Sequence, residues 1–358
     1  MKKLNYFFIL TLTIFILTGC SKSTVIVQNE DVKETSTNQE NEIKEVVEPI
    51  KEINPIDAID LSLNPNELGE IMILMYHGIG DEEKDWQRTP DNFRKDLQYM
   101  YENKYSMISL NDYSKGEIKT KAGYTPIILT FDDGRQNNFN VEKVNGEYII
   151  DKNSAVGILE EFKNNHPDFN VTASFFLGTN FFGQDQYADY KLKFLIDNGY
   201  DIGNHTYSHK EIANLNSEEI QFEIGKVNAL INKIVPDYTV ETLALPHGSN
   251  PEDIYLKYVT DGLYENKSYK NLAVLDVGWR PSYSPYDLKI DFTSLYRVTA
   301  SEINVDNCGM YDYFKQYEQG SRTKFISDGN PDVVTIKKEN EKDLNKNMLR
   351  DRVLNIIE

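Results

Sequence analysis

Five histidines occur in the 358-residue chain, and four of them stand in polar clusters at the ends of candidate strands. His205-Thr206-Tyr207-Ser208-His209 sets two imidazoles at i and i+4. Such a pair meets on one face of a helical turn, a spacing suited to a single zinc ion. Two unrelated surface histidines would give the same pattern. Thr130-Phe131-Asp132-Asp133-Gly134 closes an apolar run. Asp-Gly is a common turn signal, but two carboxylates at one strand tip can also divide labour, one binding a cation while the other stays free as a base. One carboxylate added to the histidine pair would complete a His2Asp set with an open fourth position for water, the pattern of catalytic zinc sites. Imidazole plus carboxylate also suits Ni2+ or Co2+.

Together with Ala244-Leu245-Pro246-His247-Gly248, these motifs resemble those of the polysaccharide deacetylases, carbohydrate esterase family 4. The resemblance runs from about Ile71 to Val298. It implies an α/β fold, an irregular (β/α) barrel of about seven parallel strands in a single catalytic domain, with the site at the strand C-terminal ends. It also implies Asp132 as catalytic base and Asp133, His205 and His209 as ligands of a divalent metal, zinc first and cobalt or nickel as alternatives. In such a site the cation lowers the pKa of its water and polarises the acetamide carbonyl. Asp132 would take the water's proton, and a backbone N–H near Pro246, His247 and Gly248 would help hold the oxyanion.

The amine must leave protonated, and the family's usual acid is a late histidine in a Leu-x-His motif. No histidine follows His247. Met75-Tyr76-His77-Gly78 is instead similar to the permuted branch that includes poly-N-acetylglucosamine deacetylases, which implies His77 as the acid. A structural histidine bonded to a neighbouring loop is the other reading of His77. Expected substrate and oxyanion contacts are Tyr76, Pro246, His247, Gly248 and Trp279, the last closing Asp276-Val277-Gly278-Trp279, where it would wall the acetyl pocket or stack on a sugar face. Two departures stand out. The arginine that orients the base in the family's Arg-Pro-Pro-Tyr-Gly motif is missing, with Arg297 either replacing it at Asp132 or lying on the surface. His247 stands in place of the motif's tyrosine. His166, in Asn165-His166-Pro167, reads as an ordinary loop residue.

The implied reaction is removal of N-acetyl groups from an amino-sugar polymer of the peptidoglycan or poly-N-acetylglucosamine type. Two readings compete with it: a surface lipoprotein that binds glycan without turnover, and a metal amidase acting on another acyl substrate.

Short apolar runs must carry these residues: Ile71–Tyr76, Ser106–Leu110, Pro126–Phe131, Ala173–Leu177, Asp201–Gly203, Leu243–Leu245, Leu272–Val277 and Leu295–Val298. Runs of this kind suit strands buried on both faces. Between them lie helical patterns. One is capped by Thr89-Pro90 and carries Phe93, Leu97 and Met100; another carries Leu192, Leu195 and Ile196 and stops at Gly199. A third runs from about Ser217 to Ile234, with Ile220, Ile224, Val227 and Ile231 on one stripe. Alternating strand and helix gives a mainly parallel sheet, open or closed into a barrel. Residues 140–165 read as an insertion, a hairpin at Asn145-Gly146 followed by a helix.

At the start of the chain, Lys2 and Lys3 precede an uncharged, mostly apolar run from Tyr6 to Leu17. That run is shorter than the roughly 20 residues of a membrane-spanning helix. With Leu17-Thr18-Gly19-Cys20 it resembles a bacterial lipoprotein signal. This implies loss of residues 1–19, acylation of Cys20 and anchorage on the extracellular face of the cell membrane. An ordinary signal peptide or an uncleaved anchor are the alternatives. Residues 20–66 are polar and lack aromatic side chains, which reads as a flexible linker. The catalytic domain then spans residues 67–358. With Cys20 acylated, Cys308 is the only other cysteine, so stability rests on a packed core. The formal charge of −19 argues against nucleic-acid partners. The expected partners are the N-acetylated glycan and, through the lipid, the membrane, for a chain acting as a monomer.

Overall fold

The computed structural model describes residues Asn54–Glu358. The signal, Cys20 and most of the linker lie outside them. Within them the last stretch of the expected linker is docked rather than free. Asn54 and Asp60 cap two short 3-10 turns, Pro55–Ala58 and Leu61–Leu63, and Asn66 exchanges backbone hydrogen bonds with Ile326. Capping by side-chain oxygens gives this polar segment a local structure that an apolar pattern does not announce. No helix among the described residues is long and apolar enough to cross a membrane.

Eight strands form one sheet: β1 Met72–Tyr76, β2 Tyr105–Met107, β3 Thr125–Phe131, β4 Ser174–Leu177, β5 Asp201–Asn204, β6 Thr242–Ala244, β7 Ala273–Leu275 and β8 Val298–Thr299. All pairings are parallel, in the order β7-β6-β5-β4-β3-β1-β8, with β2 beside the first half of β3. Closure comes from the stretch 295–299. Leu295 exchanges backbone hydrogen bonds with the β7 side, while Val298 and Thr299 pair with Leu74 and Met75 of β1. The result is an irregular (β/α) barrel.

Three expected strands are shorter than the apolar runs suggested. Ser109 accepts hydrogen bonds from the backbone N–H groups of Asn111 and Asp112 and starts a short helix, Leu110–Ser114, which ends β2 at Met107. At 295–298 only Val298 is in a strand, and Leu295 forms a single bridge. The run at 272–277 pairs only over Ala273–Leu275.

Alternation along each strand sorts side chains to two faces. Met72, Leu74 and Tyr76, with Ile127, Leu129 and Phe131, join one cluster that includes Phe93, Leu97, Leu159 and Leu192 from the helices. Ile71, Ile73 and Ile128 join Phe176, Ala244, Leu275 and Leu295 in another. Residues from strands right round the ring meet in the second cluster, so it fills the barrel interior. The interior positions of β1 are therefore odd-numbered and those of β3 even-numbered.

The outer helices follow the sequence pattern. In α1, Pro90–Glu102, Thr89 caps Asn92 and the face Phe93, Leu97, Met100 is buried. The hairpin Val141–Val144 and Glu147–Ile150 turns at Asn145 and Gly146, both at positive φ (53° and 92°), as a two-residue turn between antiparallel strands requires. Helix α2, Ala155–Asn165, then fills the crossover from β3 to β4 with Val156, Leu159 and Phe162 against the core. Helix α3, Ala188–Asp197, ends just before Gly199, whose φ is +82°. Helix α4, Ser217–Ile234, starts from a reciprocal cap between Asn216 and Glu219 and buries the expected isoleucine and valine stripe.

Candidate active site at the strand ends

The alternation that fills the barrel also aims the polar residues at its mouth. Continuing the interior positions of β1 one step past the strand reaches His77, and doing so for β3 reaches Asp132. Past β5 it reaches His205, and in the closing stretch Arg297 follows Leu295 on the same side. Four side chains from four chain segments thus converge where the parallel strands all end.

Asp132 is buried, with 1% of its surface exposed, and Arg297 is fully buried beside it. The guanidinium grips the carboxylate with two parallel bonds, Nη1 to Oδ1 and Nη2 to Oδ2, each 2.8 Å. It is itself held by the Asp276 carbonyl at 2.9 Å. Burial alone would raise the Asp132 pKa; the charge of Arg297, with His205 and His77, more than offsets that and holds it down at about 2. Arg297 therefore meets Asp132, and its surface reading is excluded.

Asp133 turns the other way, from a left-handed backbone with φ of 70°. Its Oδ1 lies 3.4 Å from His205 Nε2 and 3.3 Å from His209 Nε2. His205 Nδ1 lies 2.8 Å from the Ala244 carbonyl. A carbonyl only accepts, so Nδ1 carries the proton and Nε2 keeps its lone pair for a cation. Two ligands of a tetrahedral ion bound at about 2.0–2.1 Å are separated by about 3.3–3.4 Å. Asp133 Oδ1 already stands at that separation from each imidazole nitrogen, all three donor atoms lie within 4.8 Å of one another, and they form the group among the described residues able to hold a metal ion. Burial raises the Asp133 pKa, but the imidazoles and the Arg135 guanidinium around it outweigh that and hold the carboxyl far below its usual range. The hydrogen bond with Asp133 raises the pKa of His209. Thr206 and His209 share the positive φ of Asp133, at 61° and 55°. Such conformations in non-glycine residues persist where surrounding contacts over-determine them.

His77 Nε2 lies 4.0 Å from Asp132 Oδ2. Burial pushes its pKa down to about 4, against the opposing pull of Asp132 and Asp133. Its Nδ1 is a buried atom with no hydrogen-bond partner, which does not favour the structural reading of a histidine bonded to a neighbouring loop.

Other expected contacts fall differently. Tyr76 faces the helices, one position out of step with His77. Its ring stacks 5.1 Å from Phe131 and its hydroxyl donates to Asp96 at 3.2 Å, so a substrate contact by this side chain is corrected to a core role. Gly248 N–H already donates to Leu245 O at 3.0 Å. It is not available to an oxyanion, which narrows that expectation to His247 within the Pro246-His247-Gly248 turn. His247 is exposed, with its ring 5.1 Å from His209 and outside the metal-ligand group. Asp276 bonds Asn250 at 3.0 Å and so ties this turn to the segment that ends at Trp279, which is 64% exposed. His166 stacks on Tyr101 at the end of α2, away from the cluster.

Two site residues escaped the sequence reading. Arg135 grips the second oxygen of Asp133 through Nε at 2.9 Å and Nη2 at 2.7 Å, leaving Oδ1 to the histidines. Trp86 packs on His77 with ring centroids 4.8 Å apart. The available signals were an arginine two residues beyond the carboxylate pair and one of only two tryptophans in the chain.

Residues 119–264 match the family model described as polysaccharide deacetylase. Over that stretch the chain is similar to the polysaccharide deacetylases. Among curated relatives, it is 28% identical over 178 residues to a peptidoglycan-N-acetylglucosamine deacetylase of Bacillus cereus, covering 49% of this chain and 51% of the relative. It is 27% identical over 157 residues to a peptidoglycan-N-acetylmuramic acid deacetylase of Bacillus subtilis, covering 44% and 47%. The chain thus spans about half the length of the curated relatives it matches. The fold is similar to a Streptococcus pyogenes deacetylase solved in complex with acetate, with TM-score 0.50, 16% identity, and 69% of this chain and 98% of that one covered. It is likewise similar to a polysaccharide deacetylase of Bacillus cereus, with TM-score 0.50, 17% identity and 69% of each chain covered. At these identities the structural likeness is one of fold. His77 and Arg297 lie outside the matched stretch, so the polysaccharide deacetylase motifs alone do not account for them.

Proposed function

We propose that the chain is a metal-dependent hydrolase that removes N-acetyl groups from an amino-sugar polymer. The observation that carries this reading is the division between adjacent carboxylates: Asp133 converges with two imidazoles, while Asp132 stays off that group in the grip of Arg297. A divalent cation held by Asp133, His205 and His209, zinc by ligand type with cobalt or nickel as alternatives, would supply Lewis-acid polarisation of the carbonyl and acidify a water.

The remaining work falls to the protein's own groups. Asp132 accepts the proton of the attacking water, its orientation fixed by the arginine fork. His77, neutral at rest because burial holds its pKa near 4, lies 4.0 Å from Asp132 and would relay the proton taken up there from the water to the departing amine. Trp86 covers one face of the His77 ring and limits its access to bulk water. The turn at Pro246 to Gly248 borders the histidine pair, where a backbone N–H can meet the developing oxyanion. We also propose export and lipid anchoring at Cys20, which would hold the catalytic domain as a monomer at the outer face of the membrane, beside its polymer.

Acetate release from chito-oligosaccharides by the purified protein, with and without chelator, tests this. Chelator-sensitive release is expected, falling by about 10²- to 10⁴-fold in Asp132→Asn and His77→Ala. Glycan binding without release, in protein loaded with zinc, would favour a binding lipoprotein. Release from small acyl amides alone would favour an amidase. Arg297 at Asp132 weighs against the binding-only reading, since it restores the contact whose apparent loss suggested it.

A further inference from the structure

The stretch 205–209, which carries both imidazoles, is not a helical turn. Helical backbone bonds therefore do not hold His205 and His209 together. Two of its residues also sit in the left-handed region, Thr206 with φ of 61° and His209 with φ of 55°. In a non-glycine residue such a conformation costs about 1–3 kcal/mol and persists only where neighbouring contacts fix it. Those contacts come from helix α4, which packs behind the loop.

Three consecutive backbone N–H groups of the loop are satisfied by this helix or through it. Thr206 N–H donates to Asn204 Oδ1 at 2.8 Å. Asn204 is fixed in turn, since its Nδ2 donates to the Ile224 carbonyl at 2.8 Å and to Asn228 Oδ1 at 2.7 Å. Tyr207 N–H donates to the Glu223 carbonyl at 2.9 Å. Ser208 N–H donates to Glu223 Oε2 at 2.7 Å, and the Ser208 hydroxyl donates to Glu223 Oε1 at 2.5 Å. Glu223 is 3% exposed and stands on the buried face of α4 with Ile220, Ile224 and Val227. A carboxylate placed there is costly unless its oxygens are answered. Both are committed to Ser208, the residue immediately before His209.

We infer that Glu223 is a positioning residue for the cation site: it clamps Ser208 and thereby sets His209 against His205 and Asp133. This inference rests on the metal reading proposed for Asp133, His205 and His209, and adds to it a residue outside the ligand group. The work of Glu223 is geometric. Its two hydrogen bonds hold the strained loop in the ligating arrangement, so the protein does not have to order that loop when a cation binds. A glutamine can keep both bonds, accepting the Ser208 N–H through Oε1 and donating from Nε2 to the hydroxyl oxygen. An alanine keeps neither.

The test measures zinc affinity of the purified protein by competition with a chromophoric chelator, a readout independent of acetate release. Glu223→Ala is expected to weaken zinc binding by about 10- to 100-fold, the usual effect of removing a partner that orients a metal-binding segment. Glu223→Gln should stay within about 3-fold of wild type, because both hydrogen bonds survive. Ser208→Ala loses the hydroxyl contact but keeps the N–H contact, and should weaken binding by about 5-fold. The double variant should bind no more weakly than Glu223→Ala alone, since the two residues act as one unit. Ser208→Ala leaves α4 untouched, so it still reads the clamp should Glu223→Ala fail to fold. Wild-type affinity in both alanine variants overturns the inference and leaves the cation site standing. A glutamine variant as weak as the alanine one also overturns it, because charge and not the clamp would then set the affinity. No zinc bound by wild type fails the metal reading itself, and the inference falls with it.

Discussion

Arg297 carries the most information of any single residue. Its fork on Asp132 is fully buried, so the two charges depend on each other. Removing one partner of such a pair typically destabilises by about 3–5 kcal/mol, because the other is left buried and uncompensated. Arg297→Met should lower the unfolding free energy by that order, read as a fall in the urea midpoint. Arg297→Lys keeps the charge but loses the fork and should fall between wild type and Arg297→Met in both midpoint and turnover. Full stability in Arg297→Met would remove the arginine from the account. The grouping of Asp133, His205 and His209 was legible through the resemblance of their motifs to a known family, because spacing alone left two unrelated surface histidines open. Arg135 and Trp86 were not, since nothing in a lone arginine or tryptophan says which carboxylate or ring it will meet. Arg297 could be named as a candidate, but only the closing stretch of the barrel brings it to a carboxylate 165 positions away.

At the scale of elements, two-residue alternation is the device that builds the site. The same period that puts Ile73 and Ile128 inside the barrel puts His77 and Asp132 at its mouth, and puts Tyr76 outside. Applied residue by residue to the sequence, this rule would have separated Tyr76 from His77. Strand ends were less legible: Ser109 competes for the backbone through a cap, and Leu295 trades regular pairing for a bridge across the closing gap. Helix α3 adds a pH dependence of its own. Lys191 is fully buried, its Nζ donating to the Phe182 carbonyl at 3.0 Å and lying 5.7 Å from the ring centroids of Phe139 and Phe182. Burial pushes its pKa down to about 7, despite the opposing charge of Asp185. The unfolded chain keeps this proton up to about pH 10.4. Between those values the unfolded state binds more protons, so this residue makes stability rise with pH from about 7 to about 10, by up to about 1.4 kcal/mol per unit. Urea midpoints across that window should climb in wild type and flatten in Lys191→Met. An identical slope in the two would contradict the burial argument.

For the whole molecule, periodicity is blind to ring closure, and only the family resemblance implied that the parallel sheet closes into a barrel. Five residues decide it, from Leu295 beside β7 to Thr299 beside β1. That same stretch delivers Arg297 to the base, so closing the barrel and completing the site are one event. The central claim is that adjacent carboxylates hold different offices, Asp133 with the cation and Asp132 with the proton. The most direct test measures bound zinc and acetate release from chitohexaose on the same preparations of wild type, Asp132→Asn and Asp133→Ala. The account predicts one zinc per chain in wild type and in Asp132→Asn, little in Asp133→Ala, and turnover in wild type alone. Zinc lost from Asp132→Asn, or turnover kept in it, would contradict the assignment.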